Sequence, residues 1–536
     1  MANLLEEASI LLTPTAYNNG SMLAVKPENG DGDFTFSRNS AATRVNAEGL
    51  VENVQILSSN LVVNGDFAND SVWAKDANWS IANGKATSTG VGRMYQSIPF
   101  LETNVGSTVV VSFDIVDYTS GSTIIQCYGG VQGVFTGVGT HTFTTVTTNT
   151  LNLYINNSGQ GNLVGSIDNV SVKVITHDTN LPRINYEDGC GSWLLEPQST
   201  NSIQSSNTIT AMAYTRGLTR SDNAATSPDG ELNAMSFVPT TTNEDHRSGY
   251  NSVGGAYNQG DIVTLSGFVK PNGYDFVAMG GFFGAEKAVF NISNGTLVSQ
   301  ESNVIDTKIV ELTNDWYKLS TTYTFQNYIG NSLLYAGIYV MNTETGYIFA
   351  GDGVSGAYGY GFQAELGTGT SYIPTSGAAS TRLQDVANSS GNASLINSEE
   401  GVLYAETKAF VHNGNITLSD GSNSNNLLIG FNLNSGRIDC NMKVGGAYQF
   451  IFNYTTDMSI NNKIAVRYKA NDFALFVNGI KVLTDTSGIT PAANTFDRLN
   501  FSSANTVANY FYGENKALAV YKTILTDEQL TSLTTV

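Results

Sequence analysis

The chain has 536 residues, 46 acidic against 26 basic side chains, and a net charge of −20 at pH 7. Its length exceeds one ordinary core and suggests three or four domains, and an acidic surface with no Lys/Arg cluster repels phosphate backbones, which excludes nucleic acid as a natural partner. Charged residues are only 13% of the chain while Gly is abundant, a composition suited to β-rich proteins with small polar surfaces rather than to helical ones.

The N-terminal "MANLLEEASILLTPTAY" carries Glu6 and Glu7 and no basic region, so it does not read as a signal peptide. No apolar run is long enough for a membrane span. Residues 1–55 hold short extended pieces, "SILLTPTAY", "SMLAVKP" and "DFTFSR", divided by the turn signals "NNG" and "ENGDGD". From about Leu57 to Thr179 the sequence alternates in "TVVVSFDIVDY", "STIIQCYGGV", "HTFTTVTTNTLNLYINN" and "GSIDNVSVKVIT", the pattern of half-buried antiparallel strands in a sandwich-sized unit. Residues 201–382 repeat that grammar, in "GDIVTLSGFVKP", "YDFVAMGGFFG" and "SLLYAGIYVMN". This is a repeat of architecture, not of sequence. Residues 383–400, with "DVANSSGNASLINSEEG", read as a linker, and 401–536 as an autonomous sandwich. Its "KIAVRYKANDFALFVNGIKVLTDT" has tight turns at "KANDF" and "VNGIKV". At the end "TDEQLTSLT" reads as a short helix, with Thr526 as N-cap and Gln529 at N3 of a capping box. The expected fold is all-β: multidomain antiparallel sandwiches with very little helix. Cys127, Cys190 and Cys440 are odd in number and form no CxxC pair, which argues against a disulfide framework or a zinc site and for idle thiols.

Two stretches stand apart from these units: "FTFSRNSAATRVNAEGLVENV" and "LPRINYEDGCGSWLLEPQSTN". Together they resemble a motif pair of tailed-bacteriophage virion proteins, where the two are often nearly contiguous. The resemblance implies a base unit, 1–55 with 180–200, that attaches to the particle and is interrupted by an inserted domain, 56–179. The insert, from "NLVVNGDF" to "SIDNVSVKVI", resembles jelly-roll carbohydrate-binding modules. The unit ending "GFQAELGTGTSYIPTSG" resembles a related phage jelly roll. "FALFVNGIKV" and "ALAVYKTILTDEQL" resemble a concanavalin-A-like or laminin-G-like sandwich. The resemblance implies a fibre, spike or head-decoration protein at the virion surface, made in the host cytoplasm. Its partners would be capsid or tail proteins and cell-surface or mucosal glycans, and it would form a homo-oligomer, with a trimer favoured. A purely structural virion protein and a polysaccharide depolymerase are the alternatives.

Catalysis is not expected. The ExDxxE motif of concanavalin-A-like hydrolases is absent and Glu406 stands alone, whereas a glycosidase needs two carboxylates about one bond. His141, His177, His246 and His412 have no nucleophile or metal-ligand spacing around them, and "GDGVSG", Gly351 to Gly356, is a loop coincidence. No cofactor is required. The jelly-roll resemblance does imply a structural Ca²⁺, with Asp66 and Asp168 at the matching positions. Only these two of its six to eight oxygen ligands can be named, and both acids also read as turn formers. Glycan sites pair aromatic faces with polar side chains. Trp73, in a polar loop, is the leading candidate, with Tyr95, Tyr118, Tyr358 and Tyr360. Trp79 reads as core, and Trp316 with Tyr317 as a packing pair.

Overall fold

The computed structural model describes residues 2–126, 134–148, 152–156, 161–251, 257–283, 285–326, 334–506 and 508–536. The fold is antiparallel β-sandwich throughout, with short helices at Ala2–Glu6, Pro99–Thr103 and Asp527–Thr534. Only the last was legible in the sequence; a five-residue helix has too few periodic positions to declare itself. Cys190 is exposed and Cys440 buried, both as free thiols, and Cys127 lies outside the described residues.

Residues 56–177 form one sandwich, with a six-stranded sheet ordered Gly139–Val146, Thr108–Ser120, Val164–His177, Lys85–Thr89, Trp79–Ala82, and Ile56–Leu57 beside Val164–His177. A four-stranded sheet faces it, and Phe113, Ile115, Ile155 and Val172 are among the side chains filling the space between. Leu57 pairs with Ile175 and Ile56 with His177, so the chain enters and leaves at one place. A second sandwich has two six-stranded sheets and a core that includes Met235, Phe237, Leu265, Phe290 and Ile338. Ser199–Asn201 pairs with Ser380–Arg382 to close its neck.

The third sandwich corrects the expected boundaries. Its larger sheet is built on the C-terminal strand Gly513–Tyr521, which pairs along one edge with Glu400–Ala409. The other edge is shared by Ile10–Leu12, paired with Leu518–Val520, and Ser192–Leu195, paired with Gly513–Asn515. Residues 401–536 are therefore not autonomous: two remote segments cover an edge that would otherwise offer unpaired backbone groups. For the same reason 1–55 and 180–200 are not a base of their own. Phe34, Phe36, Ile184 and Trp193 share one core with Ile416, Leu427 and Phe501. Residues 383–400 are not a linker either. Val386–Asn388 pairs with Phe34–Ser37, and Ile396 is core. Two of its four serines are bound inward: Ser390 Oγ donates to the Gly32 carbonyl, and Ser398 Oγ accepts from the Phe496 amide. Small polar residues mark linkers when water satisfies them, but here the protein does.

Local signals elsewhere act as the chemistry requires. Asn478 and Gly479 have φ of 50° and 83°, the left-handed pair that a tight two-residue hairpin needs. The Thr526 hydroxyl accepts from the Gln529 amide at 3.2 Å, and the Gln529 side chain accepts from the Thr526 amide at 2.9 Å. The helix so capped buries Leu530 and Leu533 against Ala474 and Phe476.

At the junction of the second and third sandwiches lies a buried ionic cluster drawn from four segments. Arg183 binds Glu196 at 2.6 Å and also Asp385, Arg38 binds Asp385 at 3.0 Å, and Arg382 binds Glu196 at 2.7 Å. The side chains of Arg38, Arg183 and Asp385 are wholly buried. Ser371 donates from both its amide and its hydroxyl to Glu196, each at 2.7 Å. Burial opposes ionisation of Glu196, but Arg382, Arg183 and Ser371 outweigh it and hold the carboxyl well below the usual range. Burial lowers Arg38 to about 10, with Asp385 opposing and the like charge of Arg183 adding. Removing one member strands the others. Glu196→Gln should destabilise the protein by ~3–5 kcal/mol, and calorimetry should show the second and third sandwiches losing stability together. An unshifted melting midpoint would contradict this role for the cluster.

Candidate functional site

The sequence-derived aromatic candidates do not form one site, and three of the five serve packing. Trp73 is only 5% exposed and lies in the core of the first sandwich, 5.4 Å from the Phe67 ring, its indole N–H donating to the Asn64 carbonyl. The loop turns it inward through left-handed residues at Asn64, Phe67 and Val72, and Val72 is the residue left 55% exposed. The polar neighbours that suggested exposure satisfy each other: Lys75 pairs with Asp70. Tyr358 and Tyr360 lie in one cluster with Trp316, Phe268 and Tyr372, covered by Val45 and Val51 of the N-terminal hairpin. Tyr360 is buried and donates to Asp229 at 2.7 Å. Trp79 and the Trp316–Tyr317 pair are buried. Tyr95 is half-buried beside Tyr154, with Arg93 at 5.7 Å. Tyr118 is exposed but on the opposite sheet, its hydroxyl donating to the Gly121 carbonyl.

The Asp66 carboxylate accepts from the Ala68 amide and that of Asp168 from the Asn169 amide, both within their own turns. Among the described residues no group of three or more His, Cys, Asp or Glu side chains could hold a metal ion.

A different site lies on the outer face of the third sandwich. In the sheet Ala447–Thr455, Arg437–Val444, Asn426–Asn432, Gly414–Ser419, Arg498–Asn500, side chains alternate between core and exterior. Ile438, Cys440 and Met442 point into the core, so Asn441 and Lys443 point out. Register then aligns Asn426, Lys443 and Tyr448 in one row, and Leu428, Asn441 and Ile451 in the next. Residues 503–505 with 508 and 509 form a wall, held by Thr417 and Ser419 hydroxyls donating to the Ser502 and Ala504 carbonyls. Between wall and strands is a groove of 300 Å³ lined by Asn415, Asn423, Asn426, Asn441, Asn505 and Asn509, with Lys443 and Tyr448. Gly430 keeps the floor open, since a Cβ there would stand 3.0 Å from the Leu428 side chain and 3.2 Å from Asn415 Oδ1. The carboxamides of Asn415, Asn441 and Asn509 have no hydrogen-bond partner among the described residues. Tyr448 is 55% exposed, and Lys443 Nζ lies 4.6 Å from its ring centroid. Amides that donate and accept, beside an exposed aromatic plate, match the edges and faces of a sugar ring. Among the described residues no Asp, Glu, His or Cys lines the groove.

A smaller cleft of 190 Å³ separates the first two sandwiches, lined by Phe135, His141, Phe143, Asn223, Glu231 and Asn233 among others. Burial raises the Glu231 carboxyl to about 7, with Thr142 opposing and Asp229 and Asp114 adding. Burial lowers His141, opposed by the Gly137 carbonyl and Asp114.

No family model and no curated protein sequence matches the chain. Among solved structures, the CBM40 of a Ruminococcus gnavus IT-sialidase, bound to α2,3-sialyllactose, matches 27% of this chain and 93% of its own, at 17% identity and TM-score 0.24. Domain 4 of the Geobacillus stearothermophilus arabinanase AbnA matches 31% and 82%, at 13% identity and TM-score 0.24. The mouse laminin α1 LG4-5 pair matches 59% and 91%, at 9% identity and TM-score 0.19.

Trp73→Ala should remove core volume and destabilise the first sandwich by ~3–5 kcal/mol, seen as a lowered melting midpoint; an unchanged midpoint would return Trp73 to the surface. A second outcome concerns pH. Burial raises Glu286 and Glu514 to about 7, as it does Glu231. These three carboxyls keep protons in the folded state that the unfolded chain releases near 4.5. Stability should therefore fall as pH rises from about 4.5 through 7, the opposite sense to Glu196, whose contribution is lost only below the unfolded value. Melting should be higher at about pH 5.5 than at about pH 8, and mutating all three to Gln should flatten that difference. A profile unaltered by the triple substitution would refute the assignment.

Proposed function

We propose that this chain is a non-enzymatic structural protein of a tailed-bacteriophage virion, a fibre, spike or head decoration, whose third sandwich binds cell-surface or mucosal glycans. The amide-lined groove beside Tyr448 carries the glycan reading, because unpaired carboxamides on a rigid sheet are pre-arranged for hydroxyl recognition. The virion reading is supported by the motif stretches around Arg38, Arg183 and Glu196, whose charged side chains meet in the buried cluster. On this reading the chain is made in the host cytoplasm, assembles with capsid or tail proteins as a homo-oligomer, with a trimer favoured, and stands at the virion surface. The absence of a carboxylate from the groove lining supports binding without hydrolysis.

One shallow groove binds weakly, with a dissociation constant of ~0.1–1 mM, and many copies on one particle supply adhesion. Asn441→Ala and Tyr448→Ala should each weaken glycan binding by about tenfold or more, roughly 1.4 kcal/mol, without moving the melting midpoint. Glycan-array binding by the intact chain and adsorption of assembled particles are the measurements. Array binding that both variants retain would remove the groove from this role. A purely structural virion protein is the second reading, favoured by the burial of Trp73 and Tyr360; failure of the unaltered chain to bind any glycan would select it. Release of reducing sugar from host polysaccharide would select a depolymerase.

A further inference from the structure

We infer that the groove of the third sandwich selects saccharides bearing an anionic group, a carboxylate or a sulfate ester, and that Lys443 is the residue that selects them. This rests on the glycan-binding reading and specifies the ligand class of the same site.

Among the described residues Lys443 is the one charged side chain lining the groove. It has no ion pair among the described residues; its ammonium lies over Tyr448 instead. What sets it apart from other unpaired lysines, such as Lys308 and Lys408 over Phe410, is its place in the groove among the carboxamides. The nearby acids are engaged elsewhere. Asp439 is bound by Arg437, Asp497 by Arg498, and Asp420 accepts from Asn425 and Ser422.

Local geometry fixes where the charge sits. The ladder shifts between Met442 and Lys443, which sets Lys443 opposite Tyr448 on one side and Asn426 on the other. The ammonium thus lies between the aromatic plate and the row of amides. A saccharide whose hydroxyls meet Asn441 and Asn415 would bring a ring substituent to the ammonium, which itself covers the Tyr448 ring. A lysine ammonium has three donors and no acceptor, so it favours an anion over a hydroxyl. Elsewhere the net charge of −20 repels anionic glycans, so a local positive spot concentrates them where the amides are.

The test uses the full chain on an array of matched pairs: sialylated and asialo glycans, uronates and their methyl esters, sulfated and unsulfated oligosaccharides. The anionic member should bind roughly fivefold or more tightly at low salt, and the advantage should shrink as salt rises. Lys443→Gln should erase the preference, so that the anionic and neutral members of each pair bind alike, and Lys443→Arg should retain it. The carboxylate and sulfate arms show which anion the groove takes. Equal binding within the pairs, or a preference that survives in Lys443→Gln, overturns the inference and leaves the glycan reading standing. No binding to any pair overturns both. Melting midpoints report whether each variant is folded; if Lys443→Gln is not, the salt dependence of the unaltered chain decides, and salt-insensitive binding counts against the proposal.

Discussion

Five charged side chains with almost no access to water organise this protein. Arg38, Arg183, Glu196 and the neighbouring Arg382 and Asp385 come from four separate stretches of the chain and meet in space. A buried charge without a partner is strongly disfavoured, so each of the four segments that contribute is committed to meeting the others. Three guanidinium groups face two carboxylates, and the surplus is met by neutral acceptors: Arg38 reaches the Leu181 carbonyl at 2.8 Å and Arg382 the Pro197 carbonyl at 2.6 Å. Planar forks that bind in two directions at once fix orientation as well as proximity. With these segments fixed, Ile10–Leu12 and Ser192–Leu195 fall along the open edge of Gly513–Tyr521, and the third sandwich closes.

The groove inherits its shape from that closure. Its floor is the outer face of a sheet whose inner face packs on Phe34, Phe36 and Trp193, residues supplied by the N-terminal and middle segments. Period-two alternation then decides which side chains face the groove. Asn441 and Lys443 are outside because Cys440 and Met442 are inside. Core and candidate site are thus two faces of one register, and a slip by one residue would destroy both. By contrast, most aromatic residues of the jelly rolls are used up in packing. The Thr43–Asn53 hairpin lies over the Tyr360 cluster, and Trp73 closes the first sandwich.

Local physics was legible in the sequence. Alternation marked the strands, Asn478–Gly479 the hairpin turn, and Thr526 with Gln529 the capped helix. What failed was anything decided at long range. The Ser- and Asn-rich residues 383–400 have a linker's composition, and only the remote partners of Ser390 and Ser398 make them structural. Trp73 had polar neighbours along the chain but apolar ones in space. The groove had no local signature because its amides come from different strands and a loop. The one available hint was the alternation in "RIDCNMKV", which sets Asn441 and Lys443 on a face opposite Cys440 and Met442. The motif stretches were visible as a pair, but their role in completing the C-terminal sandwich was not, since strand pairing across hundreds of residues leaves no mark on either segment alone.

Native-state hydrogen exchange on the intact chain tests the central claim most directly. If the buried ionic cluster welds the remote segments into the third sandwich, amides of residues 10–12, 193–195 and 386–388 should exchange in one cooperative event with those of 513–521, at the same opening free energy. Fast, independent exchange of 386–388, with 513–521 still protected, would show a linker beside an autonomous domain and contradict the account.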